Sequence, residues 1–343
     1  MTATLPGLVA GPGPRPSVRD HLELVRAPAV LTVLGDTLAG GAAAGHRASG
    51  RRALLPLASA CLYAGGMALN DWADRDLDAV ERPERPIPSG RVAPGYALRV
   101  AAGLGAAGLV LAAAGGGPRA LAVAAPLAGC VWLYDARLKS TPAGPVAMAA
   151  CRGLDVLLGA GAGRLRAAAP AAAALAVHTA GVTVLSRGEV HGSTRGAAGA
   201  VAAGSVAVAA GALAGLRPVR SSAGGRLRLP TGGGQRGVPA RVAPAGVSTG
   251  HISTGRVPTA LATVLATGAY LATCLPAQLT AAATPDGPAA RAATGAGIRA
   301  MVPVQAAWAA RAGRPGPAAV LGVVGLAGTL LRRRAGARAV SET

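Results

Sequence analysis

The chain has 343 residues, of which 51% are hydrophobic and only 14% charged, and its mean hydropathy is +0.43. That is the composition of an integral membrane protein and excludes a soluble globular domain as the bulk of the chain. The net charge of +20 does not mark a nucleic-acid binder, because the arginines are scattered through short loops and Trp and Tyr make up only 2% of the residues, too few for a base-stacking platform.

In chain order, residues 1–27 form a polar leader with Pro12, Pro14 and Pro16 and no long apolar core, unlike a cleaved signal peptide. Apolar, nearly uncharged stretches follow at about 28–45, 53–69, 97–115, 119–134, 143–162, 168–185, 196–216, 257–281 and 316–331, predicting an all-α, polytopic bundle of about nine spans. A tenth candidate, 289–311, carries Arg291, Arg299 and Arg311 and reads as a cavity-lining span or an interfacial helix. Residues 28–216 would hold spans one to seven, 217–256 an Arg-, Gly- and Pro-rich flexible loop, 257–332 the C-terminal spans and 333–343 a basic tail. Phe is absent and 33 of the 34 basic residues are Arg, a bias that reads as genomic and carries no mechanism. The abundant Ala and Gly permit close helix packing in lipid. With Arg15, Arg19 and Arg26 on the cytoplasmic side, spans two, four and six return there at Asn70, Asp135 and Arg187, so three charged loops share one face. Nine spans would leave the basic 217–256 loop and Arg332 to Arg334 outside, against the positive-inside tendency.

The most informative segment is Asn70 to Gly90, NDWADRDLDAVERPERPIPSG, which holds six of the fourteen acidic residues. Mixed charge runs are usually solvated helix ends, but here the apolar run 53–69 stops directly at Asn70, so the acids sit where a membrane helix emerges. On a continuous helix Asn70, Asp71, Asp74 and Asp78 share one arc about 100° wide and would turn four oxygen donors towards one point, with Asp76 opposite. Clustered carboxylate and amide oxygens suit Mg²⁺. Pro83 and Pro86 end the helix, and Arg82, Arg85 and Arg91 then supply guanidinium forks for the phosphate oxygens of a metal-bound diphosphate.

Further on, Tyr134 to Thr141, YDARLKST, contains the only lysine, Lys139, which reads as a topology anchor or, beside an acidic metal site, as a phosphate ligand that Arg137 could assist. Arg152 and Asp155, at i and i+3 in the fifth span, read as a structural pair, with Asp36 and His178 as further intramembrane polar residues. Cys61, Cys130, Cys151 and Cys274 lie singly in apolar stretches and read as packing residues, neither zinc ligands nor a disulfide framework. The sixth span ends in LSRGEVHGSTR. There a continuous helix would align Ser186, Glu189 and Ser193, Glu189 is the only acid, and His191 is a candidate base or phosphate donor.

Taken together, NDxxDxxxD at Asn70 to Asp78, the ERPERPIPSG continuation, the YxxxLK loop and the nine-span layout resemble the UbiA superfamily of intramembrane prenyltransferases. The ERPERPIPSG and LSRGEVHG segments look most like a bacterial, EboC-like branch associated with specialised metabolism. The resemblance implies transfer of an isoprenoid from an allylic diphosphate to an aromatic or other lipophilic acceptor, with Mg²⁺ between two Asp-rich motifs. Asn70, Asp71, Asp74, Asp78 and Glu189 would hold the metal, Asp71, Asp74 and Glu189 would be catalytic, and Lys139, Arg85, Arg82 and Arg137 would hold the diphosphate. The second motif departs from the family pattern, because Ser186 and Ser193 stand where two acids are expected. The implied setting is a multi-pass cell-membrane protein with its active site at the cytoplasmic face. Its partners would be a prenyl diphosphate, a lipophilic acceptor and membrane lipid, with no nucleic acid and no identifiable protein partner. A transporter, lipid carrier or non-catalytic UbiA-like protein is the alternative.

Overall fold

The computed structural model describes residues 16–323 apart from 31, 48, 215, 217–255, 314 and 315. Most of the leader, the 217–256 loop, the second half of the 316–331 stretch and the basic tail therefore lie outside the described residues. Among the described residues all regular structure is helical: α1 (Val18–Leu24), α2 (Ala27–Val30), α3 (Leu34–Ala43), α4 (Leu54–Ala73), α5 (Arg75–Glu81), α6 (Pro94–Leu133), α7 (Gly144–Ala160), α8 (Leu165–Ser186), α9 (Arg195–Leu213), α10 (Arg256–Ala283) and α11 (Gly287–Arg311). A further helical turn or two covers 316–323.

The short α1 is set by a capping box, in which the Ser17 hydroxyl accepts from the Asp20 backbone N–H while the Asp20 carboxylate accepts from the Ser17 backbone N–H. Leu24 is fully buried beneath it, and Val18 and Leu22 stay exposed. Arg26, which ends the turn after α1, is the one non-glycine residue with positive φ (48°) among the described residues. α4 is apolar from Leu54 to Leu69 and carries Asn70 and Asp71 in its last turn.

The 40 residues of α6 are two antiparallel spans. Gly117, at φ 66° and ψ −158°, breaks the helix just before Pro118. Before the break Gly108 lies on Ala58 and Leu62 and Gly115 on Arg51 and Leu55; after it Val131 and Asp135 approach Gly66 near the other end of α4. The chain has therefore reversed around a single glycine. α3 and α7 approach so closely that a Cβ on Gly159 would be driven into the Thr37 carbonyl oxygen. In lipid such backbone approach replaces the hydrophobic effect as the packing force.

Among the described residues, six helical segments are long and apolar enough to cross a membrane: Gly50–Ala73, Pro94–Gly116, Pro118–Leu138, Ala162–Ser186, Arg195–Leu213 and Thr259–Ala283. The all-helical, multi-pass architecture is as expected, whereas the count of nine spans is not reproduced by this measure. The first stretch is split into α2 and α3, whose 4 and 10 residues are each too short to cross, and α7 has only 17 residues. The tenth candidate, α11, is a bundle helix: its Met301, Val304 and Trp308 are buried with Leu175 of α8 and Tyr270 of α10. Each His178 ring nitrogen has a partner, the Tyr270 hydroxyl at 3.0 Å and the Gly297 carbonyl at 3.0 Å, which makes His178 a core hydrogen-bonding residue.

Candidate active site

The acidic segment does not continue as one helix. α4 ends at Ala73, Asp74 takes φ −90° and ψ 0°, and α5 restarts at Arg75. This break redistributes the four expected donors. Asp71 and Asp78 come together around Arg85, whose Nη1 lies 3.5 Å from Asp71 Oδ1 and 2.5 Å from Asp78 Oδ2. Both carboxylates are buried, at 4% and 2% exposure, so each needs the charge partner it has. Asp74 turns to Lys139, with Nζ 2.5 Å from its Oδ1. Asn70 turns to neither set and donates from Nδ2 to Asp135 Oδ1 at 3.2 Å. Asp76 is exposed and pairs with Arg75 at 3.5 Å, on the far side of α5 as its spacing requires.

Arg85 is aimed inwards by the loop that follows α5. Pro86 and Ile87 are buried, the Val92 N–H donates to the Pro86 carbonyl at 2.9 Å, and Gly90 turns the chain at φ 74°. Arg91, expected to face phosphate, instead ties this loop to α1 through Asp20 at 2.5 Å and Glu23 at 2.9 Å. Arg82 is exposed, as is Arg137, and neither has a contact with the carboxylates among the described interactions.

Lys139 is positioned by a π-helical turn, Tyr134–Leu138, whose i→i+5 bond runs from the Lys139 N–H to the Tyr134 carbonyl at 2.9 Å. The wider turn ends the span and swings the lysine over α4. Its ammonium is buried and makes no well-directed hydrogen bond, although Asp74 is at ion-pair distance. A buried cation with its donors unspent is a fitting partner for a polyanion.

Two residues here escaped the sequence reading as site members. Arg26 contributes a third cation, with Nη2 3.2 Å from Asp71 Oδ1. Asp135, buried at 4% exposure, accepts from Asn70 and is near enough to Lys139 for their charges to interact. Arg26 was legible only as a topology marker, and Asp135 only as the start of a loop.

Glu189 is half-buried in the turn after α8, not on a helix with Ser186 and Ser193. α8 stops at Ser186, Gly192 takes φ 88°, and Ser193 donates to the Pro285 carbonyl at 2.9 Å. The Glu189 carbonyl accepts from Arg291 at 3.2 Å, and His191 is exposed. The turn still joins the charged face, because Arg187 Nη2 donates to the Lys139 carbonyl at 3.0 Å and to that of Thr141. The three charged loops are therefore neighbours.

Deeper in the bundle, Arg152 pairs with Asp36 rather than with Asp155. Gln305 Nε2 donates to the other Asp36 oxygen at 2.8 Å, and the Ser59 hydroxyl donates to Asp155 at 2.6 Å. The expected neutralising pair is thus a network across α3, α4, α7 and α11. The four cysteines are free thiols, and the fold brings Cys130 and Cys151 together with their sulfurs 3.1 Å apart.

Among the described residues no three His, Cys, Asp or Glu side chains converge closely enough to cage a metal. Mg²⁺ is commonly held by one or two carboxylates together with phosphate oxygens. The paired Asp71 and Asp78, with Asp74 beside Lys139, fit that shared mode.

A model of the UbiA prenyltransferase family matches residues 31–188. The digeranylgeranylglyceryl phosphate synthase of Methanopyrus kandleri is 41% identical over 126 residues, which is 36% of this chain and 46% of the relative. The synthase of the same name from Ignicoccus hospitalis is 43% identical over 125 residues, 36% of this chain and 40% of the relative. The chain thus spans less than half the length of these curated relatives. In fold it is similar to an apo UbiA homologue from Aeropyrum pernix K1, with a TM-score of 0.51 at 18% identity over 78% of this chain and 96% of that one. It is also similar to a solved digeranylgeranylglyceryl phosphate synthase structure, with a TM-score of 0.51 at 16% identity over 86% of this chain and 98% of that one. Residues 31–188, the segment that the UbiA prenyltransferase family model matches, hold Asp71, Asp74, Asp78, Lys139 and Arg152.

Proposed function

We propose that the protein is a Mg²⁺-dependent, multi-pass membrane prenyltransferase that moves an isoprenoid from an allylic diphosphate to a lipophilic acceptor. The observation that carries this reading is the buried, unsatisfied Lys139 ammonium beside Asp74, one loop away from the Arg26–Asp71–Arg85–Asp78 cluster. Each cation there already faces a carboxylate, so an incoming diphosphate can take over the guanidinium and ammonium groups. The freed carboxylates Asp71, Asp74 and Asp78 would then hold Mg²⁺, which supplies Lewis-acid stabilisation of the phosphate oxygens. Arg85, Arg26 and Lys139 stabilise the charge that develops on the diphosphate as the allylic C–O bond breaks. The apolar walls of α4 and α6 exclude water from the carbocation until the acceptor bonds to C1 and releases its proton. Asn70 acts indirectly by holding Asp135 near Lys139, and Glu189 is assigned a supporting place from the adjoining turn. Arg82 and Arg137, exposed on the two loops that carry Arg85 and Lys139, are assigned to the outer phosphate oxygens.

The names of the relatives favour an acceptor of the glyceryl phosphate type, and an aromatic acceptor is the runner-up. The narrower EboC-like placement is supported only by the ERPERPIPSG and LSRGEVHG segments. A cytoplasmic active site is favoured by the arginines that flank the loops of this face. The reduced second acidic motif, with Glu189 alone, favours a carrier that binds without chemistry as the second reading. Release of pyrophosphate from geranylgeranyl or farnesyl diphosphate in Mg²⁺-containing liposomes decides between them, with glyceryl phosphate and aromatic acceptors offered in parallel. Product formation supports the transferase, and silence with every donor and acceptor refutes it.

A further inference from the structure

Cys130 and Cys151 are the two cysteines that a sequence-level view leaves isolated and the fold brings together. Cys130 lies near the end of the second α6 span and Cys151 in the middle of α7, with sulfurs 3.1 Å apart. That is closer than non-bonded sulfurs ordinarily sit, and a disulfide would need a further approach of only about 1 Å. Both are free thiols. Cys151 is buried at 8% exposure, while Cys130 is half-buried and its neighbour Gly129 is exposed on the outer surface of the bundle. An apolar oxidant dissolved in the bilayer can reach the pair from that side. The stretch between the two cysteines contains Asp135, the π-turn and Lys139.

We propose that Cys130 and Cys151 form an oxidisable dithiol, which a membrane-soluble quinone converts to a disulfide that fixes the Lys139 loop. In that step two S–H bonds break and one S–S bond forms, and two electrons and two protons pass to the quinone, giving the quinol. Reduction by a dithiol reverses it. Intracellular disulfides are typically transient and redox-sensing, which suits a pair that is reduced in the resting fold. Closing residues 130–151 into a covalent ring restricts the one loop whose cation faces Asp74. The bearing of this on prenyl transfer rests on the function proposed above, whereas the bridge and its effect on Lys139 do not.

The full-length protein in liposomes is treated with a short-chain benzoquinone and digested with trypsin under non-reducing conditions. The expected product is peptide 120–137 joined to peptide 140–152, two hydrogens lighter than their sum and abolished by dithiothreitol. Lys139, the only lysine, provides the second readout, because its acylation by an amine-reactive ester should change at least threefold on oxidation. Cys130→Ser should lose both effects and Cys61→Ser neither. Absence of the cross-linked peptide in the parent protein overturns the proposal. A bridge that forms without altering Lys139 acylation overturns its second half. Pyrophosphate release measured on the same samples is a separate arm: if the protein never releases it, the functional reading fails while the thiol chemistry stands on the first two measurements.

Discussion

Replacing Lys139 by Met separates a ligand role from a structural one. The Lys139 ammonium is buried but the Asp74 side chain is 22% exposed, so loss of the ion pair leaves Asp74 able to hydrate. A pair of that kind contributes on the order of 1 kcal/mol to stability. In a chain of this size that corresponds to a lowering of Tm by roughly 1–2 °C. The same ammonium is the buried donor left without a well-directed acceptor. Removing one preorganised charge that stabilises a departing anion costs about 3–4 kcal/mol, or roughly 10²–10³ in rate. Lys139→Met should therefore lower pyrophosphate release by at least a hundredfold while the protein stays folded. Lys139→Arg should recover only part of the activity, because a planar fork does not reproduce a point charge at this distance from Asp74. The assay is single-turnover pyrophosphate release in liposomes alongside thermal unfolding followed by near-UV circular dichroism. Activity within threefold of the parent, or a loss that merely tracks the folded fraction, would refute the assignment of Lys139 to the diphosphate.

Asp71→Asn should reduce transfer by roughly 10²-fold or more, whereas Asp76→Ala, on the solvent side of α5, should stay within about twofold; equal damage from the two would remove the basis for separating them. Gly159→Ala should destabilise the bundle by about 1–3 kcal/mol, read as a lower unfolding temperature in detergent, because its methyl meets the Thr37 carbonyl. Asp20 is held down at about 2 from its usual 3.8 by the Ser17 hydroxyl first, then by the Ser17 backbone N–H and Arg91. Its folded value is depressed, so its contribution is complete above pH ~4 and is lost as pH falls towards 2. Proteolytic release of α1 should increase over that window and lose this pH dependence in Asp20→Asn.

The sequence made the helical class, the membrane setting and the acidic segment readable, because each is a local property of composition or spacing. The sidedness of Asp76 was readable for the same reason. The convergence of Asn70, Asp71, Asp74 and Asp78 was not, since it assumed an unbroken helix, and a single residue in the bridge conformation at Asp74 leaves Asp71 and Asp78 on Arg85 while Asp74 goes to Lys139 and Asn70 to Asp135. Arg26, Asp135 and the Cys130–Cys151 contact depend on neighbours 45, 65 and 21 positions away in the chain, where no periodicity reaches. The pairing of Arg152 with Asp36 across 116 positions is of the same kind, and it displaced the nearer partner that spacing alone suggested.

The reversal at Gly117 has a mechanical consequence. A straight helix of 40 residues would be about 60 Å long, twice the hydrocarbon thickness. By turning back at one residue, the chain leaves almost no slack at that end and joins the two halves of α6 as the arms of a pair of tweezers are joined. The free ends of those arms carry the Arg85 loop, just before Pro94, and the Lys139 loop, just after Leu133. Small splaying motions of α6 are therefore pivoted at the far side of the membrane and reach their greatest amplitude between Arg85 and Lys139, so the gap that would have to admit a diphosphate widens or narrows as one lever.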